Sequence, residues 1–508
     1  MRTITSAAMY DMLRPSSPNN ERQMMRLLST LCTAAILISL ALLTAPTGAE
    51  AKTSITVSNQ PQLFLDDYLV KDMKNLKRVL NQPTRHPANP LIVQEYPWEK
   101  RMIEIYGTVL YDPEVRKFRC WYLGNEYNNG IPDNPEHPKT AEYYTCYAES
   151  EDGIHWEKPM VGQEKFGVHE KHNIVIPGSH GFCVLPTPDD PDPNRRYKGV
   201  GGALFGFSPD GIRWDVHNWR DAVGKNDTSS CVVRWNGEYL AYVRDQVKDP
   251  EWPGVMRGVG LTVSKDFEHW TPKETVLTTD EKDGYPWDQT YGMAATPYGD
   301  VLIGIVWLIH LDHTEGNNSR GYLDMQLVAS RDGRTWNRVA DRAVFLKPSA
   351  DSWDRGGVFP GTTLFVRNDQ IYMYYTGVGS RHGQGGGSMG IGLATLPADR
   401  FVALRPANSS SEGILETPAL KFTGRELIVN ADVSENDLQV ELLDETGNVI
   451  PGFSREQSRL VVHDDLRYRV IWQSAETQQS LESALIKQPL ALRFILRGGN
   501  LYAFQVVD

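Results

Sequence analysis

Several strand-like runs in this chain begin beside a carboxylate. Glu104 opens Glu104-Ile-Tyr-Gly-Thr108, and Asp227 lies in Asn226-Asp-Thr-Ser-Ser230. Asp288 lies in Pro286-Trp-Asp-Gln-Thr290, and Asp351 and Asp354 in Asp351-Ser-Trp-Asp-Arg-Gly356. The segment Gly178-Ser-His180-Gly-Phe182 occupies a comparable place with a histidine and no acid. Convergent carboxyls suit glycoside hydrolysis: one protonates the leaving oxygen, and a second attacks the anomeric carbon or activates water. Glu104, Asp227 and Asp288 are the catalytic candidates, with Glu104 as nucleophile or base and Asp227 as acid. Trp287 and Trp353 offer faces for a sugar ring, and His180, Asp354 and Arg355 offer partners for its hydroxyls. The competing reading makes acids at strand ends turn formers or solvated charges.

Such a set works only if the fold gathers the strand heads. One pattern repeats: Ser150-Glu-Asp-Gly-Ile-His-Trp156, Ser208-Pro-Asp-Gly-Ile-Arg-Trp214, Ser264-Lys-Asp-Phe-Glu-His-Trp270 and Ser330-Arg-Asp-Gly-Arg-Thr-Trp336. The tryptophans are 58, 56 and 66 residues apart. Repetition at this period marks a repeat architecture. Each copy follows a β-branched, aromatic run and supplies a turn. Runs such as Lys117–Tyr122, Tyr197–Val200, Glu238–Val243, Val301–Trp307 and Gln370–Tyr375 read as strands. They group into triplets, the fifth lacking the turn motif. The prediction is all-β: a five-bladed β-propeller over 101–405, then a small β-sandwich over 412–508 beyond a Ser409-Ser410-Ser411 linker. Residues 52–100, with Gln62-Leu-Phe-Leu-Asp-Asp-Tyr-Leu-Val70, form an N-terminal segment expected to pack on the propeller. An irregular sandwich is the alternative.

The pattern Ser-x-Asp-Gly-x-x-Trp resembles that of the five-bladed propeller glycosidases, the superfamily of β-fructosidases and arabinanases. The resemblance spans about 300 residues and is stronger for fold than for chemistry. In β-fructosidases the nucleophilic Asp lies three residues before a Gly that opens the first inner strand. Glu104 stands three before Gly107. The family's second-blade Arg-Asp-Pro falls near His180, where this chain has no Asp. Its acidic Glu before Cys-Pro falls near Asp227, ahead of Cys231. The resemblance implies a glycoside hydrolase with an oligo- or polysaccharide substrate and assigns no particular sugar. The departures leave a non-catalytic propeller that binds carbohydrate or protein as the alternative. Transfer to phosphate ranks behind both, since only Arg355 and Arg381 stand near predicted mouths.

Composition narrows the partners. A net charge of −12 among 508 residues argues against nucleic acid. Arg26, the apolar stretch Leu27–Leu43 and Ala49-Glu50-Ala51 have the layout of a signal peptide over 1–51, cleaved to begin the exported chain at Lys52. An uncleaved anchor is the alternative; after cleavage no segment is long and apolar enough to span a bilayer. Cys120, Cys146, Cys183 and Cys231 read as buried thiols, with a Cys120–Cys146 disulfide conceivable between successive strands. His310, Asp312 and His313 are too closely spaced in a loop to argue strongly for a metal, and no cofactor is expected. Gly383–Gly387 lacks the following helix of a phosphate loop, and Asp189–Pro193 reads as a hairpin tip. The oligomeric state is not legible.

Overall fold

A computed structural model describes residues 54–508 apart from 127–142, 220–222, 225–230, 249–251, 253–254, 315, 385, 436, 460–462, 474–477 and 488. The signal segment and Asp227 lie outside the described residues. The fold is all-β, and the helical elements between its strands are short 3-10 turns.

The repeated motif builds one turn four times. Gly153 N donates to Ser150 Oγ at 2.9 Å, and Asp152 Oδ1 accepts from the backbone N–H groups of Ile154 and His155 at 2.8 Å each. The other oxygen, Oδ2, lies 2.7 Å from His155 Nδ1. Arg213, His269 and Thr335 make the equivalent contact with Asp210, Asp266 and Asp332. In the first three copies the Trp indole N–H donates to the carbonyl of the fourth motif residue. That fourth residue has a φ of +75° to +79° at Gly153, Gly211 and Gly333. The third copy holds Phe267 there at +69°. This conformation is nearly free for glycine and costs a residue with a Cβ about 1–2 kcal/mol.

The strands around these turns form antiparallel meanders. The first runs from Val109–Asp112, with Met102–Glu104 beside it, through Lys117–Asn125 and Tyr144–Ser150 to Ile174–Pro177. Cys183–Pro186, Tyr197–Gly201, Leu204–Ser208 and Asp215–Asn218 form the second. Cys231–Trp235, Glu238–Lys248, Val255–Ser264 and Glu274–Leu277 form the third. An 11-stranded sheet holds a fourth, Asp288–Tyr298, Val301–Leu311 and Gly321–Ser330 with short edge strands, and a fifth, Gly357–Pro360, Gln370–Val378 and Met389–Pro397. The outer edge of the fifth is supplied from the other end of the chain. Thr84–Arg85 and Ile92–Val93 both pair with Met389–Pro397.

The inner strands touch in a closed circuit. Thr108 Oγ1 lies 2.6 Å from Thr362 Oγ1 and donates to Cys183 Sγ at 3.7 Å. Val232 N donates to Cys183 Sγ at 3.3 Å, and Ala295 N to Cys231 Sγ at 3.3 Å. Cys231 Sγ donates to Thr362 O at 3.2 Å, which returns to the first pair. The four cysteines among the described residues are buried and free. Cys120 stands opposite Ala148 and Cys146 opposite Tyr122, so the conceivable disulfide between them is not formed.

A second core lies between two further antiparallel sheets. Asp72–Lys74, Gly413–Glu416, Ala491–Leu496 and Leu438–Leu443 make one; Leu76–Leu80, Val402–Pro406, Asn500–Val507, Glu426–Asp432 and Asp464–Arg469 make the other, with Gln62–Leu63 also paired to Asn500–Val507. Alternation along the strands turns Val440, Phe494, Val429 and Phe504 inward. The segment before residue 100 therefore divides. Ile55–Thr56 pairs with Leu420–Lys421 in a separate two-stranded sheet and residues 62–80 add strands to these sheets, whereas Thr84–Val93 completes the fifth meander. The segment also touches the fourth meander, where Gln62 Nε2 donates to Asp300 Oδ2 at 2.7 Å.

Candidate active site

Residues 104–108 thread between the second and fifth meanders. Ile105 N donates to Thr376 Oγ1 at 2.6 Å, Phe182 N to Tyr106 O at 2.8 Å, and Thr362 N to Gly107 O at 2.9 Å. Two residues before Thr108, the Tyr106 ring stacks on Phe359 at 4.7 Å and on Trp307 at 6.4 Å. His180 meets its edge at 6.3 Å and lies flat on Tyr143 at 3.9 Å. An aromatic cap drawn from the first, second, fourth and fifth meanders thus gathers around Tyr106.

Glu104 precedes this cap by two residues. It pairs across the strand with Leu123 and is 8% exposed. Among the described residues its carboxyl has neither a hydrogen bond nor an ion pair. Burial raises its pKa from the ordinary carboxylic range to about 7, against the opposing pull of the Arg101 charge. A buried carboxyl without donors favours its neutral form, because ionisation would place an unsolvated charge in a medium of low polarity.

Asp288, at the head of Asp288–Tyr298, has different surroundings. Its Oδ2 lies 2.9 Å from His310 Nδ1, and His310 Nε2 lies 2.9 Å from Asp324 Oδ1. The imidazole also stacks on Tyr322 at 4.4 Å. Burial alone would push the His310 pKa down. The carboxylates of Asp288 and Asp324 outweigh it and raise the value to about 9, so His310 is a cation at neutral pH. His313, its sequence neighbour, instead stacks on Trp287 at 4.7 Å, and Trp287 meets Trp252 edge-on at 5.0 Å.

The fifth-meander candidates are split. Asp354 is fully buried, with Oδ2 2.9 Å from Arg85 Nε and 3.3 Å from the Tyr375 hydroxyl. One oxygen of its carboxylate is thus engaged in closing the fifth meander. Trp353 packs on Tyr375 at 5.7 Å, while Asp351 and Arg355 are exposed.

Glu104, Asp288 and Asp354 share no hydrogen bond or ion contact among the described residues, and each has its own environment. Sequence reasoning missed Tyr106, Trp307, Phe359 and Asp324. The signal for Asp324 was present: it is the lone acid in the apolar strand Gly321–Ser330, and a charge in such a run needs a partner.

No family model and no curated protein matches the chain. Among solved structures it is similar to BT0996 in its RGII complex at 14% identity, over 63% of this chain and 93% of that one, with a TM-score of 0.45. A glycosyl hydrolase from Bacteroides ovatus matches at 15% identity over 63% and 95%, with a TM-score of 0.43. The Bombyx mori GH32 beta-fructofuranosidase BmSUC1 matches at 10% identity over 84% and 95%, with a TM-score of 0.38.

Proposed function

We propose that this chain is an exported glycoside hydrolase. In this reading the five meanders are the blades of a five-bladed β-propeller over 101–405, followed by a β-sandwich over 412–508 that braces it. The reaction is carried out at the mouth formed by the strand heads. The observation that carries the reading is Glu104: a buried carboxyl without partners among the described residues, two residues before an aromatic cap, with a pKa raised to about 7. Such a group holds its proton at neutral pH and can give it to a glycosidic oxygen, which a solvated carboxylate cannot do. Glu104 is therefore assigned the role of acid in preference to nucleophile.

The second carboxylate is assigned to Asp288, and Asp227 is kept as a further candidate on its sequence position alone. The His310 cation fixes one Asp288 oxygen. The other is directed to the positive charge that develops on the sugar ring in the oxocarbenium-like transition state. His180 and Trp287 present ring faces and polar edges to the substrate. Trp353 and Arg355 line the fifth-blade side, and Asp354 supports them through Arg85 and Tyr375.

The test is sugar release from a panel of neutral glycans by the chain and by Glu104→Gln. Release by the parent that falls about 10²–10⁴-fold in the variant fits a positioned acid. Release unchanged in the variant removes Glu104 from the mechanism.

A further inference from the structure

Asp324 is a deeply buried carboxylate beside Asp288. Its Oδ1 lies 2.9 Å from His310 Nε2, off the line of a hydrogen bond, and accepts none among the described residues. His310 is its one ion partner there. A carboxylate so buried depends on that cation, because no water replaces it.

The strands explain how three charged groups meet. Asp288 stands opposite His310, and His310 opposite Tyr322. Asp324 stands opposite Leu308, two residues from His310 and therefore on the same face. The row runs from the interior outwards: the side chains of Asp324, His310 and Asp288 are 5%, 16% and 19% exposed.

A second feature fixes the outer carboxylate. A Cβ on Gly284 would stand 2.7 Å from Asp288 Oδ2 and 3.1 Å from its Cγ, so a side chain there would displace the group. Thr279 Oγ1 donates to the Asp288 carbonyl at 2.7 Å and holds the backbone. Oδ2 is thus wedged between Gly284 and His310 Nδ1, whereas Oδ1 has no hydrogen bond or ion pair among the described residues. Other charges are turned away from the imidazole. Tyr322 stacks on it, and Arg381 lies beyond, 5.6 Å from the Tyr322 ring and paired with Asp312. Burial opposes the His310 charge, and Asp288 and Asp324 together outweigh that opposition.

We propose that Asp324 is a positioning residue: through His310 it fixes the Asp288 carboxylate, with Oδ2 held and Oδ1 presented to the substrate. Its purpose rests on the hydrolase reading, but the coupling of the three residues is measurable without turnover. The test uses the full chain with Asp324→Asn, which keeps the shape and removes the charge, and with Asp288→Asn. Far-UV circular dichroism confirms folding. Histidine-ring nitrogen NMR follows His310, whose signal is identified by its loss in His310→Gln. The parent ring should stay doubly protonated up to about pH 9. Each Asn variant should raise its acid constant about tenfold or more. In sugar release, the kcat ratio of parent to Asp324→Asn should be near one at about pH 6 and reach about threefold or more by about pH 8.5, with KM unchanged. A residue with a purely structural role would change kcat by one factor at both pH values.

An unchanged His310 titration in either variant, a ratio independent of pH, or an effect confined to KM would each overturn the positioning role. Where Asp324→Asn does not fold, Asp288→Asn, at the more open end, supplies the titration that decides. If no glycan is cleaved, the hydrolase reading fails, and the titration then upholds the coupling by its shift or overturns it by its absence.

Discussion

Asp354 Oδ2 lies 2.9 Å from Arg85 Nε, with the carboxylate wholly buried and the two residues 269 positions apart in the sequence. The pair locks the N-terminal strand Thr84–Arg85 onto the fifth meander, so a side chain near the start of the sequence closes a sheet built some 270 residues later. Removing the arginine leaves a buried charge without its counter-ion. Arg85→Ala is expected to destabilise the fold by about 3 kcal/mol, whereas Asp354→Asn with Arg85→Met should cost less than either change alone. Denaturant unfolding of Arg85→Ala, the two single changes and the double variant checks this.

Phe267 sets two opposing terms against each other. Glycine at this position would relieve about 1–2 kcal/mol of backbone strain. It would also remove a fully buried aromatic packed on Phe205, Phe207 and Tyr239, a loss of about 3–5 kcal/mol. Packing wins, so Phe267→Gly is expected to lower stability by about 2 kcal/mol although three sister turns carry glycine. Equilibrium unfolding gives the sign directly.

The turn aspartates predict acid sensitivity. Burial opposes ionisation of Asp152, Asp210 and Asp332, but backbone N–H groups and neighbouring side chains outweigh it and lower all three pKa values. In Asp266 the backbone N–H of His269 is the leading cause of a fall in the same direction. A carboxylate depressed in the folded state stabilises it above the unfolded pKa, near 4, and that contribution disappears as pH falls through the folded value. Cooperative loss of structure is expected between about pH 4 and pH 2, and Asp332→Asn should reduce the slope. Unfolding free energies measured at several pH values decide it.

Glu104 and His310 act on stability at higher pH, both with raised folded values. Glu104 contributes fully below its unfolded pKa, and that contribution is lost as pH rises towards the folded value of about 7. Keeping it neutral is then worth roughly 3 kcal/mol, so Glu104→Gln should stabilise the protein at pH 8 and do little at pH 4. His310 contributes fully below about 6.5 and loses its contribution as pH rises through about 9. His310→Gln should therefore destabilise at pH 7 and matter less at pH 10. Thermal melts across this range separate the two.

Much of the fold was legible because its turns are written in side chains. Ser, Asp and Gly at fixed offsets each satisfy a named backbone group, so the motif predicts its own geometry. The closure was not legible, since Thr84–Arg85 pairs with Met389–Pro397 across about 300 residues and two-residue strands carry no period. In the site, Glu104 was singled out as an acid ahead of a strand, but its role depends on burial and on missing donors, which sequence does not encode. Asp354 carried the same local signal and proved to be an ion-pair partner. Residue type at a strand head does not distinguish the two; what packs over it does.

The central claim is that Glu104 supplies the proton at a glycan-cleaving site. Its most direct test is the pH dependence of sugar release by the protein, on whichever glycan of the panel it cleaves. A falling limb with an apparent pKa near 7 is expected, absent from the residual activity of Glu104→Gln. A profile unchanged by the substitution, or a limb near 4 alone, would contradict it.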